Sequence, residues 1–160
     1  MKMVTVEITA SLNGILEKRI TDLRRDADSK GRIPIERFLT FRKKPQELSR
    51  ILVKAMEVGN ELFVGHREIE RYTMVKKVQI GQLTTDQPFV YLSFLEPIVN
   101  SYQASKDHSV QVASYKGVLY LLDGNHRTVY HILRGDTTID STVFSANRFE
   151  KDHISLGHGV

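Results

Sequence analysis

The stretch LLDGNHRTVYHILRG, residues 121–135, joins an apolar run to a short amphipathic one. Between them Asp123, Gly124, Asn125, His126 and Arg127 occupy five consecutive places. Just upstream, SVQVASYKGVLYLLD holds two strand-like runs with a turn at residues 115–117. The first run alternates. The second is apolar throughout, as expected for a strand covered on both faces. After the polar cluster, Val129, Ile132 and Leu133 pack a helix onto the sheet, and Gly135 stands where glycine ends a helix. A further strand, TIDSTVF, follows. The unit is a strand, a sharp turn, a short helix and a strand.

Working outward, MVKKVQI reads as another strand. TTDQPFVYLSFLEPIVNSY reads as a helix entered through Asp86 and Pro88, which Pro97 must kink or split. In the first part of the chain, Val4, Val6 and Ile8 alternate with polar residues as in a half-buried strand. Leu12, Ile15, Leu16, Ile20 and Leu23 then follow helical spacing, with Arg and Lys opposite. IPIERFLTF is a short helix or an extended connector. KKPQELSRILVKAMEVGNEL is a stronger helix, with Leu48, Ile51, Leu52 and Ala55 on one face. The expected class is α/β (α+β): a mixed sheet with helices over 72–150, preceded by a strand and a basic helical region over 1–71. The aperiodic tail 151–160 is expected to be mobile.

The chain has 160 residues, the size of one ordinary domain or of one domain plus a small helical extension, and 41% are hydrophobic, enough for a real core. No apolar run approaches the ~20 residues of a membrane span, and the first residues lack the apolar core of a signal peptide. No membrane association is expected. There are no cysteines, which removes disulfides, thiolate catalysis and cysteine-ligated metals and fits a cytoplasmic protein. Net charge is +4. The whole excess lies in the first 71 residues, which hold 15 Lys+Arg against 11 Asp+Glu. This is a solvated helical surface or a surface for an acidic partner, nucleic acid being the commonest.

At the junction, Asn125 is an apt N-cap, and Gly124 lets the chain turn sharply. The first-turn N–H groups of a helix have no partner inside it and lie at the positive end of its dipole, a ready seat for phosphate. Arg127 adds a fork that grips phosphate bidentately. His126 can donate to the same anion or accept a proton, and Thr128 adds a hydroxyl. Asp123 is better suited to orienting Arg127 or His126, or to a metal bridging to the phosphates. The same letters would also serve a plain turn with His126 and Arg127 on its surface.

YLLDGNHRTVYHILRG followed by TIDSTVF resembles the signature of the ParB/sulfiredoxin-like superfamily: an apolar strand, Asp-Gly-x-His-Arg, a short helix, a glycine and another strand. The order of the preceding strands is similar too, and the likeness covers roughly residues 75–144. It implies a small α/β domain with its phosphate loop at the strand-to-helix junction. Members bind nucleoside triphosphates. They include CTP-dependent DNA clamps, a sulfinic-acid reductase, a free-serine kinase and nuclease-type proteins. By position, Gly124, Asn125, His126, Arg127 and Thr128 would line the phosphate loop, with Asp123 in front as the acidic and metal-binding residue. The implied cofactor is ATP or CTP with Mg²⁺, and the implied catalytic set is Asp123, His126 and Arg127. Sulfiredoxin places a cysteine where this chain has Asn125, so reductase chemistry is excluded. The clamps carry a helix-turn-helix domain after this core, whereas this chain ends soon after it, so a full clamp is not expected.

Other residues are weaker candidates. Glu96 falls where kinase-like members of that superfamily keep a catalytic glutamate. Lys76 and Lys77 could face phosphates. Arg42, Lys43 and Lys44, with Phe38 and Phe41 nearby, could contact the phosphates or bases of DNA. His126 and His131 are a poor metal pair at their spacing, and His153 and His158 lie in the tail. Two functions are open. One is a phosphate-handling domain that binds a nucleotide or a DNA phosphodiester at residues 123–128, with phosphoryl transfer or hydrolysis as its turnover. The other is a non-catalytic protein whose basic N-terminal helices bind DNA or a host or regulatory protein.

Overall fold

The structure, a computed structural model, describes residues 2–59, 70–101 and 109–155, with side chains over 14–58, 70–100 and 109–154. The chain begins with a long helix, α1 (Lys2–Asp26), and reaches β1 (Arg32–Pro34), a 3-10 turn and β2 (Thr40–Phe41). Helix α2 (Gln46–Gly59) follows. Next come β3 (Thr73–Gln79), β4 (Leu83–Thr85), β5 (Phe89–Tyr91) and α3 (Leu92–Ser101). The last part holds β6 (Val110–Tyr115), β7 (Val118–Asp123), α4 (Asn125–Arg134), β8 (Thr138–Ser145), α5 (Ala146–Glu150) and a π-helical turn (Lys151–Ser155). The fold is α+β, as expected.

Six strands form one mixed sheet in the order β2-β4-β7-β6-β8-β3. β2, β4 and β7 run parallel to one another. β6 runs antiparallel to β7 and parallel to β8, and β3 closes the far edge antiparallel to β8. β1 and β5 form a separate two-stranded ribbon. Side chains alternate across each strand, so the sheet has two apolar faces. Val110, Val112, Leu121, Ile139 and Val143 share one face with Leu16, Ile20 and Leu23 of α1, Leu95 of α3, and Val129 and Leu133 of α4. Ala113, Tyr115, Tyr120 and Phe144 share the other with Leu48, Ile51 and Ala55 of α2 and Phe149 of α5. The result is three layers, with α1, α3 and α4 on one side and α2 and α5 on the other.

The segment around the junction follows its sequence closely. The hairpin β6–β7 turns at Lys116 and Gly117, both with positive φ (49° and 78°). Helix α4 ends at Gly135, whose φ is 89° and whose N–H meets the Ile132 carbonyl.

Several expectations are corrected. Residues 3–8 belong to α1 rather than to a strand, because a three-residue alternation is outweighed by continuous helix propagation, which gains a hydrogen bond for each residue fixed. Residues 84–85 and 89–91 lie in β4 and β5 rather than in a helix. Pro88 favours extended backbone at Gln87, and only Leu92–Ser101 is helical, with Pro97 inside it. The expected boundary at residue 72 separates nothing in the fold. β1 pairs with β5, β2 pairs with β4, and Ile33, Ile35 and Leu39 lie in the same core as Val78 and Leu83. Finally, residues 151–155 are docked. The Tyr72 hydroxyl donates to Asp152 at 2.8 Å, and the His153 ring stacks on Phe149 with centroids 4.4 Å apart.

One constraint locates α4. Gly124 leaves β7 with φ at 105° and packs directly over Val110, the first residue of β6. A β-carbon there would stand 2.5 Å from Val110 Cγ1 and 2.9 Å from its Cβ. Gly124→Ala should therefore destabilise the protein by more than about 1 kcal/mol in denaturant unfolding, through both backbone strain and overlap. Adding Val110→Ala should return only part of this, since it removes the Cγ1 overlap but neither the 2.9 Å approach to Cβ nor the φ. Wild-type stability in the single variant would contradict the close approach.

Candidate functional site

β2, β4 and β7 are adjacent and parallel, so their carboxyl ends share one edge of the sheet. Arg42, Lys43 and Lys44 follow β2, Asp86 and Gln87 follow β4, and Gly124 follows β7. In open sheets with helices, ligands collect at this edge, because loops diverge there and helices begin there.

Gly124, not Asn125, is the N-cap of α4. Its carbonyl accepts the Thr128 N–H at 2.9 Å and the Thr128 hydroxyl at 2.8 Å. Thr128 is fully buried, so its hydroxyl serves the cap rather than a ligand. Asn125 occupies the first helical position, and its side chain turns inward. Its Oδ1 accepts from the buried Thr85 hydroxyl at 2.7 Å, and its Nδ2 donates to Gln87 Oε1 at 3.1 Å. Asn125 thus ties the helix start to the end of β4. What it offers a ligand is its backbone N–H.

His126 is held in the same way. Its Nε2 accepts the Tyr91 N–H at 3.1 Å, so the lone pair is engaged and any proton on the neutral ring sits on Nδ1. The ring lies beside Phe94 and Tyr91, with centroids 5.4 and 6.4 Å away. Burial holds its pKa below the usual histidine value. A neutral ring with Nε2 engaged is a positioning group and an Nδ1–H donor.

Arg127 extends over the turn. Its guanidinium is 3.3 Å from Asp123 Oδ2 and donates to the Ser109 carbonyl at 3.5 Å. Asp123 is largely exposed. A cleft of about 280 Å³ opens here. Asp123, Gly124, Asn125, His126 and Arg127 line one side, and Gln87, Phe94, Ile98 and Leu122 complete it. The structure therefore brings together all the junction residues expected from sequence except Thr128. It adds Thr85, Gln87, Tyr91, Phe94 and Ile98, all from a segment expected to be a helix that Pro97 kinks or splits. Pro88 was the available signal, since the residue before proline avoids helix.

The remaining candidates lie elsewhere or have other partners. Glu96 pairs with Arg24 of α1 at 2.7 Å, on the face of α3 opposite Phe94 and Ile98. Lys76 and Lys77 are on β3, three strands from β7, and Lys77 pairs with Asp140 at 3.2 Å. His131 Nδ1 meets Asp136 at 2.8 Å near the far end of α4. His153 Nε2 lies 3.1 Å from the Tyr72 hydroxyl, and His158 is outside the described residues. Phe38 and Phe41 pack against the core. The Arg42 N–H donates to the Thr85 carbonyl at 2.7 Å while its side chain is exposed, as is that of Lys43. Lys44 pairs with Asp86 at 3.3 Å.

Among the described residues no group of three or more histidine or carboxylate side chains could hold a metal ion, and no helix is long and apolar enough to cross a membrane. No protein-family model, curated protein or solved structure matches the chain.

The half-buried His126 ring makes a pH prediction. Its pKa is depressed in the folded state, so its contribution to stability is fully present above the unfolded value of about 6.5 and is lost as pH falls through the folded value. Stability of the wild type relative to His126→Gln should be constant above neutrality and should decline as the pH drops below about 6.5. Parallel stability-versus-pH curves for the two proteins from pH 8 to pH 5 would rule out an imidazole held neutral by partial burial.

Proposed function

We propose that the β7–α4 junction is an anion seat that binds the phosphates of a nucleotide. The observation that carries this is the convergence, at one sheet edge, of the α4 N-terminus behind Gly124, the Arg127 guanidinium and an open cleft. Helix N-termini present unpaired N–H groups at a positive dipole end. Arg127 adds the bidentate donor geometry that suits phosphate. Arg42 and Lys43 stand at the same edge, about 10 Å away across two strand spacings, where they raise the local positive potential. The resemblance of residues 75–144 to the ParB/sulfiredoxin-like superfamily supports the same choice of ligand. A DNA phosphodiester is the other source of the same anion.

The site favours binding over turnover. The lone pair of His126 Nε2 is engaged by the Tyr91 N–H, so that nitrogen cannot take a proton until the β5 contact breaks. Among the described residues, Asp123 is the only carboxylate lining the cleft. That donor set fits a Mg²⁺ carried in on the phosphates, an ion commonly held by one or two carboxylates with its remaining ligands from phosphate and water. When bound, such an ion would neutralise phosphate charge. Without it, the Asp123 carboxylate repels the phosphates and competes for Arg127.

Titration calorimetry with inorganic tripolyphosphate, ATP and CTP tests this proposal. Arg127→Ala should weaken binding at least about tenfold with the fold intact, and Arg127→Lys should restore only part, because a point charge lacks the fork. Wild-type affinity in Arg127→Ala would exclude the seat.

Asp123 separates metal-assisted from metal-free binding. Asp123→Asn should tighten binding in EDTA, where repulsion is removed, and weaken it in Mg²⁺, where a ligand is lost. An unchanged affinity in both conditions would leave Asp123 as a partner of Arg127 and nothing more.

A further inference from the structure

The cleft at the junction has two chemically different walls. One carries the Arg127 guanidinium, the Asp123 carboxylate and the backbone of the helix start. The other carries Phe94 and Ile98, four residues apart on one face of α3. Phe94 is the unusual member. Its side chain is 61% exposed, although it stands next to a core that buries Leu95 completely. Its ring is nonetheless oriented by neighbours: Tyr91 meets it edge-on at 6.0 Å and 87°, and His126 lies tilted at 5.4 Å. His126 is in turn fixed by the Tyr91 N–H. An aromatic ring held by two others, with its remaining surface open to a cleft beside a cationic seat, is built for a planar ligand.

We infer that Phe94 is the base platform of this site, so that the ligand is a mononucleotide whose base stacks on the Phe94 ring while its phosphates lie at Arg127 and the α4 N-terminus. The inference rests on the phosphate seat proposed above and narrows it: a bare phosphate would leave the aromatic wall unused. Stacking on an aromatic face tolerates any base, because every base has a π-face. Phe94 therefore contributes affinity, and base identity is left to polar groups on the rim. Gln87 is placed for that role, since it lines the same cleft and its Oε1 is fixed by Asn125 Nδ2. Ile98 extends the apolar wall one helical turn further, along the flank of a stacked base.

The chain contains no tryptophan, so Phe94→Trp installs a single fluorophore on the platform without removing the aromatic surface. Phe94→Ala removes that surface at an exposed position, where the fold should not depend on it. Tripolyphosphate, ATP and CTP serve as probes, each titrated against wild type, Phe94→Ala and Phe94→Trp. The inference expects Phe94→Ala to lose about tenfold or more in affinity for ATP or CTP, with tripolyphosphate affinity unchanged. It expects the indole emission of Phe94→Trp to be quenched by nucleotide and not by tripolyphosphate. Equal losses for all three probes, or none, would overturn the platform while leaving the phosphate seat in place. So would wild-type protein that binds nucleotides no more tightly than tripolyphosphate. Wild-type protein that binds none of the three overturns the seat and the platform together. The Phe94 surface would then be better tested as a protein-docking patch.

Discussion

The close approach of Gly124 to Val110 sets the geometry of the whole junction. β7 ends beside the first residue of β6, and the chain must turn at once to lay α4 over the sheet. A residue with a β-carbon would collide with Val110 and would resist a φ of 105°. Everything the site presents follows from that turn. It places the Gly124 carbonyl to close the helix cap with Thr128, and it aims Asn125 down at Thr85. It leaves the backbone of residues 124–127 at the carboxyl edge of the parallel strands. Arg127, one helical turn after Asp123, then reaches back over the strand end.

Two hydrogen bonds convert the turn into a rigid site. The Thr85 hydroxyl to Asn125 Oδ1 bond is buried and crosses from β4 to α4, while the Tyr91 N–H to His126 Nε2 bond crosses from β5 to α4. Each joins the helix start to a strand distant in sequence. A buried polar group left unpaired costs about 1–3 kcal/mol, so these bonds fix the helix start and engage the Asn125 amide and His126 Nε2. Arg127 and Asp123 face the cleft with Phe94, Ile98 and Gln87, and His126 keeps only its Nδ1 side for a ligand. In the proposed seat Asn125, His126 and Thr128 hold the helix start, and Arg127 with the backbone donors would form the binding surface.

Much of this was legible in the chain, for identifiable reasons. Local signals carried the hairpin, the helix that ends at Gly135, and β3 and β8, because turn residues and apolar period act within a few positions. The polar cluster at residues 123–127 marked the strand-to-helix junction and its cleft. The short strands were not legible. β1, β2, β4 and β5 hold two or three residues each and exist because distant partners pair with them, and a run that short has no period to read. The roles of Asn125 and Thr128 were hidden for the same reason. Asn125 reads as a cap from its neighbours, and only the arrival of β4, 40 residues earlier in sequence, turns it inward. Phe94 could be seen only once residues 83–91 were known to be extended, since its exposure depends on where α3 begins.

The backbone N–H groups at the start of α4 and the Arg127 side chain are proposed to bind phosphate together. This is tested most directly by following the backbone amide resonances of ¹⁵N-labelled protein while inorganic tripolyphosphate is added. The account predicts saturable shifts centred on the amides of Asn125, His126 and Arg127, with the Arg127 side-chain Nε–H moving in step at the same apparent affinity. Amides of β3 and of the docked turn at residues 151–155 should stay fixed. No shift at residues 124–127, or shifts centred elsewhere on the molecule, would contradict it.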